Sequence, residues 1–99
     1  MTTSTMVAKQ AVHDELESQI RLAEARLNTL KAHAENAKAR AEIKAIADLA
    51  PKRQLIQRKL QELKKSSGEA WNQAKSDLEA HIVELEKLLK GIESKAKAH

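Results

Sequence analysis

The sequence predicts an all-α protein, a long antiparallel helical hairpin of coiled-coil type that turns near 48–51 and dimerises into a four-helix bundle. Three observations predict it. The 99 residues are 41% hydrophobic and 32% charged, with two Gly, one Pro, one Trp and no Phe or Tyr. That balance of Ala, Leu, Glu, Lys and Arg belongs to long helices rather than to a deep globular core. Apolar residues recur at alternating steps of three and four along both halves of the chain, the spacing of a helix seam. A single proline, Pro51, divides the two halves.

Taken in order, the first arm spans about 5–48, and Ser4 or Thr5 is placed to cap its start. Its seam runs Leu16, Ile20, Ala23, Leu27, Leu30, Ala34, Ala37, Ala41 and Ala45. Pro51 lacks an N–H, disfavours the α conformation at Ala50 and suits the first turn of a new helix, so the chain is expected to reverse there, with a kink in one very long helix as the alternative. The second arm spans about 51–94 with the seam Ile56, Leu60, Leu63, Ser67, Ala70, Ala74, Leu78, Ile82, Leu85, Leu89 and Ile92. A fold point at 50/51 sets large residues opposite small ones, Leu78 against Ala23 and Leu60 against Ala41 among them, and so fills space layer by layer. Each arm is about 65 Å long at 1.5 Å per residue.

Residues 64–71 read KKSSGEAW. Ser66 followed by Glu69 has the spacing of a capping box. The seam nevertheless continues in phase through Leu63, Ser67, Ala70 and Ala74, which favours one helix with a bend at 66–68. Trp71 is then a packing anchor beside the seam, near Leu30, covering the thin layer at Ser67 or reaching a second subunit.

Further apolar residues flank the seam, Leu22, Ile43, Ile46 and Leu49 on the first arm and Leu55, Trp71, Val83 and Leu88 on the second. A stripe this wide belongs to helices with more than one neighbour. Self-association is expected, most simply as a twofold dimer. Leu22, Leu27, Leu30, Ile46, Leu60, Leu63, Trp71, Leu78, Ile82 and Leu85 are the residues expected to pack or associate.

Charge is unevenly placed. Residues 51–65 hold Lys52, Arg53, Arg58, Lys59, Lys64 and Lys65 against Glu62 alone, while the remainder is nearly balanced. A basic amphipathic helix of this kind binds anionic membrane or nucleic acid weakly, and this is the alternative reading of function. No aromatic lies within it to stack on bases.

Catalysis is not expected. Zero cysteines exclude thiol nucleophiles, disulfides and Cys-type zinc sites, and no Gly-rich phosphate loop or nucleophile elbow is present. The four histidines, His13, His33, His81 and His99, have no helical spacing to one another. No metal site or cofactor is therefore expected within a subunit, nor a small-molecule substrate. There is no span of ~18 apolar residues and no secretory pattern at the start, so a cytoplasmic location is expected.

The run LQELKKSSGEAWNQAKSDLEAHIVELEKLLK (60–90), with LNTLKAHAENAKARAEIK (27–44) before it, resembles a group of small bacterial coiled-coil proteins of about a hundred residues. Their core is LxELK–S–[GD]–xAW followed by a Leu/Lys/Glu helix. Pro51 departs from that group's unbroken charged middle. The resemblance implies architecture and no activity. The function expected is a non-enzymatic structural or protein–protein interaction module that self-associates.

Overall fold

The computed structural model describes residues 2–97, with side-chain surroundings for 8–96. His99 lies outside the described residues. The chain is all-α, and no strand occurs among the described residues. Four helical segments follow one another: α1 (Thr2–Asn36), α2 (Arg40–Ala47), α3 (Ala50–Lys65) and α4 (Gly68–Lys97). Ser4 and Thr5 lie inside α1, which begins at Thr2 among the described residues.

Three rods result, because α2 and α3 are nearly continuous. Asp48 and Leu49 keep right-handed helical angles (φ −65°, ψ −14° and φ −82°, ψ −10°). The Asp48 N–H donates to Lys44 O at 2.9 Å, and the Arg53 N–H to Leu49 O at 3.0 Å. Pro51 sits in the first turn of α3, where a missing donor is tolerated. The expected reversal at 48–51 is thus a kink.

The chain reverses at two other places. At 37–39, Lys38 adopts φ 54°. The Ala39 N–H reaches Ala34 O at 2.9 Å and the Lys38 N–H reaches Glu35 O at 3.1 Å. These are the two bonds of a Schellman motif, with Lys38 in the left-handed position that glycine usually fills. At 66–67 the helix stops. Ser66 turns to extended angles (φ −85°, ψ 151°), its hydroxyl donates back to Glu62 O at 2.6 Å, and Gly68 starts α4 at φ 60°. The single helix expected through 64–71 is therefore two antiparallel helices. Ser66 closes the first of them rather than capping the second with Glu69.

Ion pairs between the rods give the register. Lys52 meets Glu84 and Lys59 meets Asp77, so residues of α3 and α4 whose numbers sum to 136 lie side by side. Glu24 meets Arg53 and Gln57, and Lys9 and His13 share a recess with Leu63, which together set α1 antiparallel to α3. Arg26 meets Glu93 and Lys9 meets Trp71, which together set α1 parallel to α4. The result is an up-down-up three-helix bundle, 55 × 19 × 16 Å, in place of a two-armed hairpin. The 101-sum pairing of Leu16 with Leu85 or Leu27 with Ala74 does not apply.

The core is one continuous cluster. Leu16, Ile20, Ala23, Leu27, Leu30 and Ala34 come from α1 and Ile46 from α2. Leu49 sits at the kink, Ile56, Leu60 and Leu63 lie on α3, and Leu78, Ile82, Leu85, Leu89 and Ile92 on α4. No described polar or charged residue is buried with them. Burial of apolar area at about 25 cal/mol per Å² is therefore the main force holding the rods together. The seam positions that fall near the reversals leave this core: Ala37, Ala41, Ser67 and Ala70 are exposed.

Candidate functional site

The packing residues named from the sequence separate into three groups. Leu27, Leu30, Ile46, Leu60, Leu63, Leu78, Ile82 and Leu85 are buried within one chain. Trp71 is half-buried against that core. Leu22 is 65% exposed and takes no part in it. Leu22 sits on the outer flank of α1, four residues before Arg26, and Val83 sits on α4 three residues before Glu86. The charges of Glu93 and Glu86 both act on Arg26 and raise its pKa, the Glu93 hydrogen bond most of all. Leu22 and Val83 thus border the same α1/α4 seam. Val83 is 49% exposed, and Leu88, on the α3 side of α4, is 42% exposed.

Trp71 does not lie near Leu30. The second reversal carries it to the opposite end of the bundle, where the Lys9 ammonium stands 5.3 Å from its ring centroid. Leu63, Ser66 and His13 line the same recess. A cation over an exposed aromatic face contributes about 0.5–1 kcal/mol.

The basic segment is partly neutralised by the fold. Lys52 is bound to Glu84, Arg53 lies 4.0 Å from Glu24, and Lys59 holds Asp77 at 2.7 Å and Glu62 at 3.7 Å. Arg58, Lys64 and Lys65 make no ion pair among the described residues, so half of the six cations face solvent with no carboxylate on them. The Lys59 ammonium, hydrogen-bonded to Asp77, holds that carboxyl below its usual range, and Lys52 does the same to Glu84.

The sign of the pH effect follows. A carboxyl whose folded pKa is depressed contributes stability above its ordinary value near 4 and loses it as the pH falls through the folded value. A Lys52→Gln/Lys59→Gln variant is expected to be less stable than the parent at pH 6 by thermal unfolding. The gap should close on acidification below pH 4 and narrow in ~1 M salt. A gap that widens in acid would show that these bridges do not join α3 to α4.

Histidines sit beside carboxylates on their own helices. His13 Nδ1 is 3.8 Å from both Asp14 Oδ1 and Glu17 Oε2, and these donors form the one described group with the proximity to hold a metal ion. Glu17 is also held by Arg21 at 2.9 Å, and both His13 nitrogens are sealed from solvent. His81 Nε2 stands 3.5 Å from Asp77.

Among the described residues no helix is long and apolar enough to cross a membrane. Compared with family models, with curated proteins and with solved structures, the chain matches none.

Proposed function

We propose that this chain is a non-enzymatic helical module that works by contact with protein, first of all with a second copy of itself. One observation carries the reading. The core closes within a single chain, yet Leu22 at 65% and Val83 at 49% remain exposed along one seam. Apolar side chains grouped outside a completed core mark a surface made for contact. The dimer proposed here packs α1/α4 seams together about a twofold axis, since an isologous contact uses the same patch twice. It replaces the four-helix bundle of two hairpins, because each chain already supplies three rods.

Sedimentation equilibrium tests it. A mass near twice 11.0 kDa is expected, falling to a folded monomer in a Leu22→Ser/Val83→Ser variant. A folded parent monomer at all concentrations would overturn the reading.

The runner-up is a peripheral binder of anionic membrane or nucleic acid through 51–65. Arg58, Lys64 and Lys65 favour it, since none of the three has a carboxylate partner among the described residues. Salt-sensitive binding of anionic vesicles or DNA that is lost on neutralising these three would support it. Absence of binding at low salt would remove it.

A further inference from the structure

Among the described residues, the end of the bundle that holds the first reversal is not filled. Apart from Ile92 its apolar lining is alanine, half-buried or exposed, and a methyl group ends too close to its helix to reach across. Ala37, Ala39, Ala41, Ala45, Ile92 and Ala96 line a half-open groove of about 700 Å³. That volume and that lining are those of a small-molecule site, largely apolar with a few polar groups at fixed places. The polar groups here are mainly cationic. Arg40 and Lys95 stand at the rim beside His33, with Glu42 the one acid. Neither Arg40 nor Lys95 forms an ion pair among the described residues, unlike Lys52 and Lys59, whose carboxylates are supplied by the chain itself.

We infer that this groove holds an alkyl chain ending in a carboxylate, that is, a medium-chain fatty acid. The alkyl chain covers the alanine floor, and the head group meets Arg40 and Lys95. Size decides against a partner helix. One helical turn, 10–12 Å wide and 5.4 Å high, occupies about 400–600 Å³, so the groove has room for little more than one turn, too short to dock a helix. The site is a holding site and involves no turnover. It lies on the α1–α2 and α4 C-terminal end, apart from the Leu22/Val83 seam, and is independent of self-association.

Octanoate, decanoate and decanol, titrated calorimetrically below their aggregation concentrations, test the inference. Decanoate is expected to bind one site per chain, about tenfold tighter than octanoate, since each buried methylene strengthens binding about three- to fourfold. Arg40→Gln/Lys95→Gln should weaken decanoate about two- to fivefold, the scale of exposed charge pairs, and leave decanol unchanged. Ala41→Leu fills the groove on an exposed helical position and should weaken both ligands at least tenfold, with the parent's helical signal retained. Trp71, at the far end, should keep its emission throughout. Absence of saturable decanoate binding at millimolar concentration would overturn the inference. So would equal binding by Ala41→Leu, or a Trp71 emission change that tracks the titration and marks detergent-like attack.

Discussion

Leu78→Ala is expected to lower the stability of the bundle by about 3–4 kcal/mol, read by urea unfolding. Leu78 has 0% exposure and lies on α4, which packs against both other rods. Its removal takes away buried methylenes and leaves a cavity whose neighbours are held from two sides, so collapse recovers little. For a domain whose whole stability is about 5–15 kcal/mol this is a large share. Val83→Ala, one and a half turns further along the same helix, removes a side chain that is 49% exposed. It should cost under about 0.5 kcal/mol in the monomer. Equal losses at the two positions would show that α4 does not present the face described.

The two glycines give a second, signed result. Gly68→Ala is expected to destabilise by about 1 kcal/mol, whereas Gly91→Ala should stabilise by about 0.5–1 kcal/mol. A Cβ at either position meets nothing within 4 Å, so space does not separate them. Conformation does. Gly68 has φ +60° at the start of α4, a left-handed setting that an L side chain adopts at a cost, while Gly91 lies in the interior of α4, where alanine is the better residue. The same substitution therefore has opposite signs 23 positions apart. A stabilising Gly68→Ala would mean that the helix runs straight through 64–71.

That comparison also shows what was legible in the sequence. Steps of three and four picked out the buried positions from Leu16 to Ala34, from Ile56 to Leu63 and from Leu78 to Ile92, because burial of bulky side chains imposes the helical period. The reversals were hidden by small residues. Ala37, Ala41, Ser67 and Ala70 keep the seam in phase across both turns, and alanine or serine fits a core or a surface equally well. Lys38 in a left-handed cap carries no sign in composition. Pro51 drew attention as the only proline, although its place in the first turn of α3 lets the rod continue. SSGEAW held the one usable signal, a serine pair followed by glycine. The Lys52–Glu84 and Lys59–Asp77 bridges were out of reach, since they depend on a reversal that the seam concealed. Once alanines fall at a bundle end rather than in a facing layer, they open a groove instead of fitting opposite leucines.

The central claim is that the chain reverses at 37–39 and 66–67 and only bends at Pro51. The chain has no cysteine, so a Lys52→Cys/Glu84→Cys variant takes two spin labels cleanly. The sample is diluted with unlabelled protein so that distances are read within one chain. In the bundle these positions face each other across adjacent rods whose axes are about 8–10 Å apart, and pulsed electron resonance should give a distance below about 25 Å with label arms included. In one helix unbroken from 52 to 84 they stand about 48 Å apart at 1.5 Å per residue. A distribution centred near 48 Å would contradict the account.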